Sequence, residues 1–343
     1  MSSAKLRVGV VGSGFGGTVH VPAFQAQGRF EVVAIASPSR APDIAAQRGI
    51  PNAFRTLAEM LSAVELDVLS ISSPPFDHRD AVLAGLGRGL HVLCEKPFAL
   101  NVAQAEEMCA AAAAAGTVCA LAHEFRYMPA RAAIKELIEN GHLGVPRAIE
   151  VSWTSRMLGA DSERPPSWWF ERRCGGGISG AILSHLIDNA SWFAGRAPVR
   201  ATGYERTAIP ERIAGGERFS SDVADGAFAT IDYGAGLIAT VTADATRVVD
   251  SALVAAHGSL RTAVASGTML ELTTFVVDDE ETAEIEVSAQ PHLNLRAAHP
   301  NLPAFVTLLD AFAAAIDGKP AALPTFDDGL QTQRVLAAIG YCA

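Results

Sequence analysis

Along the first third of the chain, short apolar runs alternate with stretches suited to helices. Leu6 to Val11, Phe30 to Ala36, Ala53-Phe54, Val68 to Ser72, His91 to Cys94 and Thr117 to Ala122 read as strands. Between them Gly17 to Gln27, Pro42 to Arg48, Thr56 to Ser62, His78 to Arg88 and Ala103 to Ala115 read as helices, with Pro22 near the first turns of the first. Thr56 and Glu59 have capping-box spacing, and Gly116 closes the alanine-rich helix as a C-cap. Uninterrupted apolar strands alternating with helices predict a parallel sheet covered on both faces.

The pattern then changes. After a predicted helix from Arg131 to Asn140, strands recur with few helices between them: Ala148 to Ser155, Val199 to Glu205, Ala227 to Asp232, Leu237 to Ala243, Ala252 to His257 and Leu270 to Val277. Gly, Asp and Ser turns separate them, which suggests an antiparallel sheet. Helices from Leu302 to Ile316 and Asp328 to Ile339 close the pattern. The fold expected is an α/β Rossmann domain over 1–122, then an α+β domain over 123–343 with a large, mostly antiparallel open sheet. Such a sheet needs a partner for its uncovered face, which should be apolar.

Composition narrows the partners. At 343 residues, two cores are expected, and 49% hydrophobic residues are enough to fill them. A net charge of −10 disfavours nucleic acid and anionic membranes. No run of about 18 apolar residues suggests a membrane span. The start runs into Val8 with no apolar leader, and the five cysteines are widely spaced with no CxxC pair. A cytoplasmic protein with reduced thiols is expected. No metal site is expected, because His and carboxylate residues lack ligand spacing.

Gly12-Ser13-Gly14-Phe15-Gly16-Gly17 supplies GxGxxG at Gly12, Gly14 and Gly17. It closes an apolar strand and opens a helix within a βαβ unit, the context that a dinucleotide-binding turn requires. The first glycine permits the turn, the second lets a pyrophosphate approach the backbone, and the third lets helix pack on strand. Some twenty residues on, an acidic residue would mark NAD. Here Ala36-Ser37-Pro38-Ser39-Arg40 offers no carboxylate to repel a 2′-phosphate. Ser37 and Ser39 can donate to one and Arg40 can pair with it, so NADP(H) is expected over NAD(H). The alternative is that Arg40 is a solvated residue opening the next helix.

The stretch His91-Val92-Leu93-Cys94-Glu95-Lys96-Pro97 resembles the signature of the glucose–fructose oxidoreductase/inositol dehydrogenase/MocA (Gfo/Idh/MocA) family. Other segments agree in the same order: the glycine-rich turn, Ser73-Pro74-Pro75 with His78, Arg126 and Pro129, Gly141-His142-Leu143-Gly144, and Gly175-Gly176-Gly177 with His185 and Asp188 beyond. The resemblance implies that Gly12, Gly14, Phe15, Gly17, Ser73, Pro74, His78, Glu95 and Lys96 surround the cofactor. It implies a catalytic Lys96 acting on the substrate's hydroxyl or carbonyl oxygen, assisted by His185. Family dehydrogenases carry an aspartate four residues before that histidine; this chain has Ala181. Half of the usual pair is missing, which puts the proton chemistry in question.

For the substrate, a sugar, cyclitol or related polyol, the candidates are Trp168, Trp169 and Arg172 in the loop before the triple glycine, with Arg156 as a weaker case. The alternative is a packed aromatic loop with solvated arginines. His123 and Arg126, in the stretch that also holds Glu124 and Tyr127 at the domain junction, are further candidates, with salt-bridge roles between the domains as the alternative. The function expected is hydride transfer between nicotinamide and a carbinol or ketone carbon. The family also includes a co-repressor, so a non-catalytic NAD(P)-binding sensor is the alternative, and Ala181 favours it. A homodimer or homotetramer is implied.

Overall fold

The computed structural model describes residues 4–342. The chain divides into two compact units. The first holds the chain through Ala99, then Ala103–Tyr127 and Gln290–Leu330. Its strands are β1 (Leu6–Val11), β2 (Phe30–Ala36), β3 (Asn52–Phe54), β4 (Val68–Ile71), β5 (His91–Cys94) and β6 (Cys119–Leu121). They form one six-stranded sheet in the order β3-β2-β1-β4-β5-β6, and every pairing is parallel. The order reverses direction between β1 and β4. In open α/β sheets that switch point, at the carboxyl ends of the strands, is where ligands bind.

Helices α1 (Val21–Gln27), α2 (Ala41–Arg48), α3 (Leu57–Ala63), α4 (Pro75–Leu86) and α5 (Val102–Ala115) connect the strands. Thr56 caps α3 with the capping box that its spacing suggests, its hydroxyl accepting from the Glu59 amide. α1 does not start cleanly. A π-helical turn over Gly16–His20 leads into it, and Pro22 sits at the junction with no N–H to donate. A widened turn absorbs a residue that would break a regular i→i−4 ladder.

The second unit holds Met128–Ala289 and Gln331–Ala343 with a short crossing of Leu100–Val102. It contains α6 (Pro129–Glu139), β7 (Ala148–Thr154), α7 (Ser184–Ala194), β8 (Arg200–Arg206), β9 (Glu211–Ala214), β10 (Glu217–Ser220), β11 (Gly226–Asp232), β12 (Ile238–Asp244), β13 (Ser251–His257), β14 (Thr262–Gly267), β15 (Leu272–Val277) and β16 (Thr282–Ile285). Eight of these strands make a sheet in the order β16-β15-β14-β13-β7-β12-β11-β8. It is antiparallel except for β7 against β12. The β9–β10 hairpin stands apart, and the strands of this hairpin, β14 and β16 are ones that hydrophobic periodicity does not mark.

One face of the large sheet buries Ile149, Val151, Trp153, Ile231, Val241, Val254 and Ala263, and α6 and α7 pack on this sheet. The other face is less apolar than the sequence suggests. Tyr204 stacks on Phe228 with ring centroids 5.1 Å apart. Around that pair the register aligns Thr202, Thr230, Thr240 and Glu150 in one row and Thr242, Ser152 and Leu253 in the next.

The chain closes with α8 (Leu302–Ile316) and α9 (Phe326–Ala338). Leu302, Phe305, Leu309 and Phe312 of α8 share one core with Val8, Val10, Phe24 and Phe30. The segment Gln290–Leu330, which lies beyond the single sequence boundary at 122/123, thus groups with the parallel sheet. α9 begins in the first unit and ends in the second.

Candidate nucleotide and active site

In the first unit, the candidate residues gather at the carboxyl ends of β1, β2, β4 and β5. Each glycine of the turn has a separate reason. Gly12 lies at φ +102°, and a Cβ there would fall 2.4 Å from the Ser72 carbonyl oxygen. The strand-to-helix turn therefore passes against the end of β4 with backbone touching backbone. Gly17 faces α2, where a Cβ would meet Ile44 at 2.7 Å. At Gly14 nothing lies within 4 Å of an added Cβ. The backbone there opens onto space at the start of a helix, where a diphosphate can come within hydrogen-bond reach of unpaired amides. The residues fit a dinucleotide on this ground.

The end of β2 is arranged around a hydroxyl pair. Ser37 is buried and donates to Ser13 Oγ at 2.9 Å. Ser39 and Arg40 are exposed, and Arg40 precedes α2 with no side-chain capping bond. At the end of β4, Ser73 and Pro74 lead into α4, with Pro74 in the cap position. His78, one turn into that helix, is fully buried. Its Nε2 faces the Ser73 carbonyl at 2.9 Å and its Nδ1 the Pro97 carbonyl at 3.0 Å. Burial holds its pKa below the usual histidine range, against the raising effect of those carbonyls and of Glu95. His78 thus braces the backbone around Lys96.

Glu95 and Lys96 follow β5, and the peptide bond from Lys96 to Pro97 is cis. The Glu95 carboxylate is buried. His20, at the end of the π-turn, donates from Nε2 to Glu95 Oε1 at 3.0 Å, and its Nδ1 meets Ser70 Oγ at 2.7 Å. Burial alone would push the Glu95 carboxyl up. The His20 hydrogen bond, with Lys96, His20 and His78 nearby, outweighs it and holds the group below its usual range. His20 was not identifiable from the sequence, because it belongs to no spacing pattern. Only its position one turn after the glycines marks it in retrospect.

A second buried carboxyl follows the neighbouring strand, β6. Ala122 N–H donates to the Cys94 carbonyl at 2.8 Å. Two residues on, Glu124 opens a 3₁₀ turn over Glu124–Tyr127. Asn301, capping α8, donates to Glu124 Oε1 at 3.1 Å. Burial first, and then the charge of Glu95, push the Glu124 carboxyl up to about 8, while Lys96 and the Asn301 bond pull the other way. Phe15 packs edge-on against His20, His299 and Phe305 and so walls this corner.

His123 is buried beside Glu124. Arg126 forms an ion pair with Asp328 at 3.3 Å inside the first unit, and this is not the salt bridge between domains set out as its alternative. In the second unit, the triple glycine wraps the aromatic loop. A Cβ on Gly176 would fall 2.2 Å from the Trp169 carbonyl, and Gly177 lies at φ +90° against Val223. Trp169 is buried with Arg164 over its ring at 4.3 Å, whereas Trp168 is exposed. Arg172 bonds Glu205 at 2.6 Å and the Gly340 carbonyl at 2.8 Å. Arg156 is exposed and paired with Asp161. These two arginines are held by protein carboxylates.

His185 and Asp188 are both buried on α7. Another π-turn, Ser179–Leu183, precedes them and contains Ala181. Among the described residues, no group of three His, Cys, Asp or Glu is placed to hold a metal. None of the described helices is long and apolar enough to cross a membrane.

An NAD-binding Rossmann unit followed by a mixed-sheet unit is the architecture of a class of oxidoreductases. Residues 6–123 match the model of the oxidoreductase family with an NAD-binding Rossmann fold, and residues 132–277 match the Gfo/Idh/MocA C-terminal domain. The chain belongs to the Gfo/Idh/MocA family. Relatives include an uncharacterized oxidoreductase of Synechocystis, 34% identical over 61% of this chain and 57% of its own length. Another is the levoglucosan dehydrogenase of Pseudarthrobacter phenanthrenivorans, 29% identical over 60% and 55%. A third is the D-glucoside 3-dehydrogenase of Escherichia coli, 32% identical over 59% and 57%. The chain thus matches less than two thirds of the length of these relatives. Among solved structures, an NAD binding oxidoreductase from Klebsiella pneumoniae superposes with TM-score 0.84 at 25% identity, covering 98% of this chain and 96% of its own. Levoglucosan dehydrogenase with NADH gives 0.83 at 24%, covering 99% and 97%, which shows the fold.

The glycines separate two effects. Gly12→Ala should cost about 1–3 kcal/mol or more in chemical denaturation, from strain and backbone contact. Gly14→Ala should leave stability nearly unchanged and weaken dinucleotide binding. Equal losses of stability in both variants would count against the role given to Gly14.

His20→Ala removes the donor to a buried carboxylate and should cost about 3–5 kcal/mol at neutral pH. A depressed folded-state pKa contributes stability above the unfolded value and loses it as pH falls through the folded value. The penalty of the variant should therefore shrink in acid, where Glu95 is protonated in both proteins. A penalty independent of pH in urea titrations would show that only packing was lost.

Proposed function

We propose that the chain is an NAD(P)-dependent dehydrogenase or reductase acting on a CH–OH carbon of a sugar, cyclitol or related polyol, with NADP(H) preferred. The observation that carries this reading is the open backbone at Gly14, at the β1/β4 switch point of the unit that presents Lys96 behind β5. Relatives named for levoglucosan, 1,5-anhydro-D-fructose, D-glucosides, D-apiose and scyllo-inositol support the substrate class. The exposed Ser39 and Arg40, with no carboxylate at the end of β2, support the preference for a 2′-phosphate.

The nicotinamide, when bound, supplies the hydride chemistry. The chain supplies position and proton control. Lys96 Nζ donates to or accepts from the substrate oxygen. His20 through Glu95, and His78 through the Pro97 carbonyl, hold the loop that carries it. His185, without an aspartate at 181, assists as a hydrogen-bonding group to the substrate.

The test is a turnover panel of levoglucosan, 1,5-anhydro-D-fructose, methyl D-glucoside, D-apiose and scyllo-inositol, each with NADP(H) and with NAD(H). Wild type should turn over at least one, about tenfold to hundredfold better with the phosphorylated cofactor at low salt. Lys96→Ala should lose about 10²–10⁴-fold in kcat with cofactor affinity intact. Equal use of both cofactors would refute the Ser39/Arg40 assignment alone. The second reading, a sensor that binds cofactor without turnover, is favoured by Ala181. Cofactor binding with no turnover, together with unchanged cellular function of Lys96→Ala, would establish it.

A second copy of the chain covers the outer face of the large sheet, around Tyr204 and Phe228. Sedimentation should give a dimer or tetramer, and Tyr204→Glu should weaken it. A monomer at micromolar concentration rules the assembly out.

A further inference from the structure

The loop that leads from β7 to the triple glycine carries the arginines Arg156, Arg164, Arg172 and Arg173. Most of them are spoken for. Arg156 pairs with Asp161, Arg172 with Glu205 and Arg173 with Glu171. Arg164 differs. Its guanidinium lies over the Trp169 ring at 4.3 Å. Among the described residues no carboxylate pairs with it, its chain neighbour Glu163 included, and burial is what lowers its pKa. The residue is nevertheless exposed. Its charge therefore sits low among protein atoms while still open to water. The contact with the indole offsets part of the cost of that charge and leaves the N–H donors of the guanidinium unused.

The platform under Arg164 is fixed. Trp169 is buried, and its carbonyl accepts from the Gly177 amide at 3.0 Å. Phe170, the next residue, packs edge-on against Phe219 of the β9–β10 hairpin at 5.0 Å, with Arg212 over its ring at 5.4 Å. Arg212 is buried, pairs with Asp225, and donates to the Leu158 carbonyl at 3.1 Å. It thus ties down both ends of the segment from which Arg164 projects. A guanidinium held in place, partly stripped of water and without a protein counter-charge is a receptor for an anion, and its planar donors suit two oxygens of one group.

We propose that Arg164, stacked on Trp169, is an anion subsite for the substrate, so that the polyol carries a carboxylate or a phosphate. The proposal rests on the dehydrogenase reading, which makes the bound anion a substrate. A single guanidinium matches the one charge of a carboxylate better than a phosphate dianion, and a sugar acid is the ligand expected. Trp168, next in the chain and exposed, offers an indole face to the sugar ring.

Calorimetric titration of the full-length protein, with and without NADPH, tests this with D-glucose, D-glucuronate and D-glucose 6-phosphate, and with the same three ligands of the galactose series. In at least one series the acid should bind about tenfold to hundredfold more tightly than the neutral sugar, and salt should weaken the preference. Arg164→Met keeps an apolar stem on Trp169 and should erase the preference. Arg164→Lys keeps the charge without the fork and should retain a fraction of it. A phosphate ester bound more tightly than the acid supports the subsite with phosphate as its anion. A wild type that binds the neutral sugar as tightly as its anions, or binds no anion, overturns the proposal without any variant. So does a preference that survives in folded Arg164→Met, and so does acetate or inorganic phosphate binding as tightly as the sugar anions. Turnover of neutral polyols alone, in that event, leaves the dehydrogenase reading standing. An Arg164-dependent preference with no turnover of any sugar or sugar acid, with either cofactor, sinks that reading and keeps the anion site.

Discussion

The first unit is organised around one buried charge. Glu95 sits where β5 ends, out of water, and is held ionised chiefly by His20 across the sheet. An unpaired carboxylate there would cost several kcal/mol, so the glycine-rich turn and the lysine loop are bound to one geometry. His20 comes from the π-turn that Pro22 and the glycines bring about. Glu95 comes from the signature that carries Lys96. The glycine-rich turn and the segment that holds Lys96 therefore cannot shift independently.

The glycines show how tightly that geometry is specified. Gly12 and Gly17 are glycine because backbone and Ile44 leave no room, and Gly14 is glycine although nothing in the protein fills the space above it. A residue kept small where the protein has no need of it is evidence for something outside the protein. The same distinction works in the second unit with the opposite result. Gly176 and Gly177 are filled by Trp169 and Val223, so the triple glycine is a packing device for the aromatic loop.

The parallel sheet, its glycine turn and the Glu95-Lys96-Pro97 loop were legible in the sequence because buried strands and turn chemistry act locally. The four-residue strands β9, β10 and β16 were not, since a few residues at an edge or in a lone hairpin carry little periodic signal, and β14, inside the sheet, was not because its apolar positions are only small residues and one valine. The return of α8 to the first unit was invisible for a different reason. Its apolar face shows that it is buried but cannot name the partner. The arginines followed the same rule. Arg126 and Arg172 read from sequence as candidate site residues, and each is held in the structure by a carboxylate far along the chain, Asp328 and Glu205. Pairing over such separations depends on topology and leaves no local trace.

Ala181 can be weighed against the charge that remains. Its substitution removes a carboxylate from the turn before His185, but the group of His20, Glu95, Lys96 and Glu124 lies wholly in the first unit and is untouched by it. Maintaining that arrangement costs desolvation energy at two positions, and a simple dinucleotide cradle made by glycines and a helix terminus does not require it. The departure at 181 lies in the second unit, whereas Glu95, anchored by His20, and the loop that carries Lys96 belong to the first.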